Sequence, residues 1–212
     1  MSSTTSAEVR SRSADRRRAR VTRRRRLLAL AGAVLFVAGL VVVLSPTVHK
    51  AVNELELPLR HEDIIRQQAA AKHLDPAFIA AVIYAESRFR DQTSSAGARG
   101  LMQITPDTAT FIEKISGGQT FKLSDLSDPQ INISYGSYYL RYLIDRYGSE
   151  QLALAAYNAG AANLDRWISQ AHAAGRQLTV DDIPFAETRG YVKAVEAAKK
   201  RYRHTYPHQL GY

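Results

Sequence analysis

The 212-residue chain has no cysteine, so disulfides, thiol catalysis and cysteine metal sites are all excluded and any folded part must rest on its packed core. Its six histidines are scattered, with no His-Glu-x-x-His pair or similar spacing, and we expect neither a metal nor a cofactor. Runs of alternating apolar and polar residues are almost missing, with room for at most a short strand or hairpin around Gln177 to Val180. The expected fold class is therefore mainly α.

Lysine is absent from residues 1–26, which instead hold ten arginines against Glu8 and Asp15, a net charge of +8. The whole chain carries +9, leaving +1 for residues 27–212, so the high isoelectric point belongs to a tail. Such a tail could bind nucleic acid, but it abuts Leu27 to Leu44, eighteen residues drawn only from Leu, Ala, Gly, Val and Phe. As a helix that run spans about 27 Å, close to a bilayer's hydrocarbon thickness. Arginines at one end of a span stay cytoplasmic, so no nucleic-acid partner is expected and the C-terminal part should face outward. An uncleaved anchor is favoured over a signal peptide, because the run is long and residues 45–50 offer no small-x-small cleavage site.

The expected organisation is an Arg-rich cytoplasmic tail (1–26), a single transmembrane helix (27–44), a linker (45–60) and a helical domain (61–207). The linker reaches at most roughly 50 Å, holding the domain near the membrane, and its stretch from Ala51 to Leu59 is apolar enough to pack on the domain.

Helix signals fill the domain. His61 to Leu74 is amphipathic, with Glu62 and Asp63 in its first turn. Asp75-Pro76, Thr105-Pro106 and Asp128-Pro129 each pair a capping residue with a proline suited to the first helical position. They open helices over 76–86, 106–115 and 129–147. Gly136, inside the last, implies a close helix crossing, since glycine there costs about 1 kcal/mol against alanine. A further helix covers Leu152 to Tyr157, and a C-terminal one begins near Thr188 and runs through Lys199-Lys200-Arg201.

The chain centres on Glu86. It ends the apolar run Ala77 to Ala85, and a helix apolar on every side is a buried one. The carbonyl end of the helix and the loss of water both disfavour its charge, so Glu86 should keep its proton above the ordinary value of about 4.3. That suits a general acid near neutral pH. Gly97 and Gly100 in the following loop fit a sharp turn or a close backbone approach.

Four blocks then occur in order: Glu86-Ser87, with Ser94 and Gly97-Ala98-x-Gly100-Leu101-Met102-Gln103; Asn132-Ile133-x-x-Gly136 with Tyr139-Leu140; Ala156-Tyr157-Asn158-Ala159-Gly160; and Pro184-x-x-Glu187-Thr188-x-x-Tyr191-Val192. Together they resemble the SLT-type, goose-lysozyme-like lytic transglycosylases over about Ile64 to Tyr202. Thr105 departs from a methionine common in that family, and the loop before Gly97 is one residue shorter than in some members.

The resemblance implies a lysozyme-like helical domain cleaving the β-1,4 bond between N-acetylmuramic acid and N-acetylglucosamine in peptidoglycan, and leaving 1,6-anhydromuramyl ends. Glu86 would be the single acid and base. Ser94, Gln103, Tyr157, Asn158, Glu187 and Tyr191 would bind substrate and position the acid, Glu187 and Tyr191 sharing one helix face four residues apart. The expected partners are peptidoglycan strands and, through residues 27–44, the membrane. Two alternatives stay open: a lysozyme-type hydrolase on the same fold, and a non-catalytic wall-binding scaffold.

Overall fold

The computed structural model describes residues 56–117 and 121–212. Residues 1–55 lie outside it, and with them the Arg-rich tail, the expected membrane span and most of the linker. Among the described residues no helix is long and apolar enough to cross a membrane.

Helices dominate the described chain: α1 (Glu62–Lys72), α2 (Pro76–Ser87), α3 (Pro106–Ser116), α4 (Pro129–Tyr147), α5 (Glu150–Ala159), α6 (Ala161–Ala173), α7 (Ala186–Thr205) and α8 (Pro207–Leu210), with short 3-10 turns at Leu123–Ser127 and Val180–Asp182. All three proline starts form as the sequence implies. Asp75 accepts the Ala77 N–H at 2.9 Å, Thr105 the Thr108 N–H at 3.2 Å, and Asp128 the Gln130 N–H at 2.7 Å. Each side chain satisfies a donor that the helix itself leaves open.

Helix α2 is the axis of the core. Ala77 to Ile83 are seven consecutive buried residues, none more than 1% exposed. Burying one large aliphatic side chain stabilises by roughly 1.5–3 kcal/mol, so these seven residues hold the helix in the core; its last turn opens, with Tyr84 and Glu86 partly buried and Ala85 exposed. It packs most extensively on α7; α5 packs on α4, α6 and α7, and α1 lies across α2 and α4.

Sequence and structure differ in three places. Residues 177–180 form no strand: they lead into the 3-10 turn, and the only bridges among the described residues are isolated pairs joining Arg99 to Thr93 and Ile104. Helix α6 was not anticipated, although Leu164, Trp167 and Ala171 lie buried along one face at helical spacing. Gly136 marks no helix crossing: the neighbour it admits is the Met102 side chain, whose Sδ would lie 2.3 Å from an added Cβ.

The packed unit runs from Glu56 to Tyr212, beyond the expected 61–207 at both ends. Three tyrosine hydroxyls donate to three successive carbonyls: Tyr84 to Glu56 at 3.0 Å, Tyr206 to Leu57 at 2.8 Å and Tyr202 to Pro58 at 2.6 Å. Leu57 is buried between them. At the other end Tyr212 donates to Asp75, which Arg203 and Lys199 also reach at 2.6 and 3.3 Å.

Candidate active site

Helix α2 stops immediately after Glu86 and Ser87. Arg88 and Phe89 follow with φ of 51° and 60°, two successive non-glycine residues in the left-handed region. That conformation costs about 1–2 kcal/mol per residue. It is held by burial of Phe89, whose ring lies 6.1 Å from that of Tyr202, and by the Arg88 N–H donating to the Tyr84 carbonyl at 3.1 Å. The sharp exit leaves the Glu86 carboxyl at the helix end, clear of further helical turns.

The loop that faces this end is clamped from three elements. Ser87 Oγ donates to the Leu101 carbonyl at 2.7 Å and Tyr157 Oη to the Met102 carbonyl at 2.8 Å. Asn132, fully buried, accepts the Met102 N–H at 2.8 Å and donates to the Arg99 and Leu126 carbonyls at 3.0 and 2.9 Å. Gly100 is required by this clamp, because an added Cβ would lie 2.1 Å from Asn132 Nδ2 and 2.4 Å from the Leu126 oxygen. Its close approach is thus to the protein's own backbone and side chains. Met102 seats in the notch at Gly136. The GLMQ loop is therefore rigid where it borders the acid, as a preorganised site demands.

Glu86 is mostly buried, and Tyr191 Oη donates to its Oε1 at 2.6 Å. Burial pushes the carboxyl up from 4.5 to about 7, against the opposing pull of the Tyr191 hydrogen bond. Burial likewise drives the Tyr157 and Tyr191 phenols well above their ordinary 10, and the Glu86 charge adds to the push on both. Both hydroxyls stay protonated near neutrality and act as donors. The Tyr139 ring lies 5.6 Å from that of Tyr157, continuing an aromatic wall toward Tyr142 and Phe111.

The remaining expected site residues divide. Asn158 is half-buried and accepts the Thr188 hydroxyl at 2.8 Å. Ser94 Oγ accepts the Ala98 N–H at 3.1 Å within its own turn. Gln103, with φ of 47°, spends its amide hydrogens on the Gln92 and Gly100 carbonyls at 3.0 and 2.8 Å. Neither Ser94 nor Gln103 contacts Glu86 through a described hydrogen bond. Glu187 is exposed in the first turn of α7; the helix brings Tyr191, and not Glu187, onto the acid.

Sequence reasoning singled out neither Ser87 nor Asn132 as a clamp. Their signal was a small polar residue beside the acid and an asparagine in a helix rich in apolar side chains, but their partners are backbone groups 14 and 30 residues away. A hollow of about 780 Å³ between Lys72, His73, Tyr138, Arg141, Tyr142 and Asp145 contains none of the expected site residues. Among the described residues no cluster of three His, Asp or Glu could hold a metal ion.

A single protonated carboxyl held by a phenol beside a rigid loop can give up and retake one proton. Asp91, the nearest carboxylate in sequence to follow it, is exposed, and none hydrogen-bonds to Glu86 among the described residues.

The profile of the Transglycosylase SLT domain matches residues 63–180. The chain is 36% identical over 157 residues to the soluble lytic murein transglycosylase of Salmonella typhimurium, covering 71% of this chain and 24% of that protein. It is 30% identical to the membrane-bound lytic murein transglycosylase C of Edwardsiella ictaluri, covering 78% and 53% of the two chains. The crystal structure of the 70 kDa soluble lytic transglycosylase SLT70 from Escherichia coli matches with a TM-score of 0.65 and 36% identity, over 71% of this chain and 25% of that one. The match thus spans about a quarter of the length of the soluble relatives and about half of the membrane-bound one. With the profile covering more than half of its residues, and the acid and loop in the expected order on a matching helical fold, the chain belongs to the transglycosylase SLT domain family.

Proposed function

We propose that this protein is a membrane-anchored peptidoglycan lytic transglycosylase with Glu86 as its single acid and base. The carrying observation is the buried Glu86 carboxyl, held by Tyr191 at 2.6 Å and half-protonated at about pH 7. Glu86 gives its proton to the glycosidic oxygen as the bond from that oxygen to the muramyl anomeric carbon breaks. The substrate's own acetamido oxygen supports the cationic anomeric centre, consistent with the lack of a second carboxylate at the acid; substrate assistance is an established exception to the two-carboxylate pattern. The Glu86 carboxylate then takes the proton of the muramyl 6-hydroxyl, whose oxygen closes on the anomeric carbon. Protons and bonds balance, no water is consumed, and Glu86 ends as it began. One carboxyl serves both steps because they are successive.

Tyr191 and Tyr157 act as fixed donors beside the acid, while Ser94, Gln103, Asn158 and Glu187 border the path of the sugar. Residues 27–44 span the membrane with the arginine tail in the cytoplasm and the helical unit on the outer side. Three tyrosine hydroxyls hold residues 56–58 on the helical unit.

The test is digestion of purified peptidoglycan by the full chain in detergent, with mass analysis of the released muropeptides. Muramyl ends lacking one water support the proposal, and ordinary reducing ends replace it with a hydrolase. No release by either the wild type or Glu86→Gln makes the protein a binding scaffold.

A further inference from the structure

Asn158 follows Tyr157 near the end of α5, and one half of its carboxamide is already committed. Its Oδ1 accepts the hydroxyl of Thr188 at 2.8 Å, while its two amide hydrogens have no partner among the described residues. Thr188 is 1% exposed and lies three residues before Tyr191 on α7, so the bond ties the end of α5 to the helix that delivers the phenol to Glu86. A threonine within a helix commonly turns its hydroxyl back to the carbonyl four residues earlier. Here the Thr188 hydroxyl donates to Asn158 instead, and the Pro184 carbonyl accepts Arg189 Nη1 at 3.2 Å.

An amide whose oxygen is occupied by a buried donor cannot flip without leaving that donor unpaired, a loss that buried polar groups rarely tolerate. Asn158 can then offer only N–H groups to the cleft and must read a hydrogen-bond acceptor. Resting on the function proposed above, we infer that Thr188 is a positioning residue that locks the Asn158 amide with its donors outward, selecting a carbonyl oxygen on the bound sugar, from its N-acetyl or its lactyl group. The role differs from that of Tyr191, which touches the acid itself.

The experiment uses the full chain in detergent. With Glu86 intact, Thr188→Val raises KM about fivefold, the effect of one neutral hydrogen bond, and leaves kcat and its pH profile unchanged; Thr188→Ser restores KM to within about twofold. In a Glu86→Gln background, binding of solubilised glycan strands weakens about fivefold with Thr188→Val and equally with Asn158→Ala, and the double variant is no weaker than either. Repeating the comparison with chemically de-N-acetylated strands separates the sources: loss of the Thr188→Val effect assigns the N-acetyl carbonyl, and its persistence the lactyl carbonyl. Unchanged KM and binding in Thr188→Val, additive losses in the double variant, or a fall in kcat and melting temperature that Thr188→Ser does not rescue would overturn the inference. Failure of the Glu86-bearing chain to produce anhydromuramyl ends would sink the lytic reading while leaving the binding comparison to be judged by itself.

Discussion

Replacing Glu86 by glutamine should stabilise this protein, and the gain should depend on pH in one direction. In the folded state the carboxyl is pushed up from 4.5 to about 7 by burial. Between those values the native protein holds a proton that the unfolded chain has released, so raising the pH favours unfolding. The contribution is close to zero at pH 4 and levels off above the folded value. A gap of 2.5 units corresponds to about 3 kcal/mol of destabilisation at pH 8. Glutamine is nearly isosteric, carries no charge, and keeps a carbonyl oxygen to accept the Tyr191 hydroxyl, so it removes this cost without opening a cavity. For a folded unit of this size about 3 kcal/mol shifts the melting temperature by roughly 6–12 °C. Differential scanning calorimetry of the full chain and Glu86→Gln, each at pH 4 and pH 8, should give matching values at the acid end and the variant higher by that margin at the alkaline end. Other groups titrate in both proteins and cancel in the difference. A gap that does not change with pH would refute the claim that burial holds a proton on Glu86.

Tyr191→Phe removes the hydrogen bond that draws the carboxyl down, so the alkaline limb of the pH–activity profile should move upward, even as kcat falls. Asn132→Ala leaves the Met102 N–H and two carbonyls without their partner and should cost about 3 kcal/mol or more in urea unfolding. Gly136→Ala forces a Cβ against Met102 Sδ; overpacking of about 1–3 kcal/mol should outweigh alanine's helical advantage, and chemical denaturation should show a net loss. Arg88→Gly relieves a left-handed backbone at the end of α2 and should raise stability by about 1 kcal/mol in the same assay.

What could be read from the amino acids was local. Asp75, Thr105 and Asp128 cap their helices because each competes only with its next few residues, and the prolines behind them have a fixed φ. The burial of Glu86 was legible too, since a long apolar run leaves the first carboxyl after it in a water-poor setting. Long-range pairings were not. Nothing near Tyr84, Tyr202 or Tyr206 announces that their hydroxyls meet three successive carbonyls up to 149 residues away. Gly136 shows why: its composition signals a close approach, but whether a helix or the Met102 side chain fills the space depends on how the loop is folded over it. The same holds for Glu187 and Tyr191, one turn apart on α7, of which only the tyrosine reaches the carboxyl. Helix α6 has its signal at Leu164, Trp167 and Ala171 but is missing from the sequence reading, because it sits between the expected blocks and carries no cap other than Gly160.

The most direct measurement is the titration of the Glu86 carboxyl itself, by carbon NMR of the full chain labelled at glutamate side chains, with Glu86→Gln identifying the resonance. A midpoint near 7 is the result this account predicts. A midpoint at the ordinary 4.5 would contradict it, because the group would then be a carboxylate at neutral pH with no proton to give.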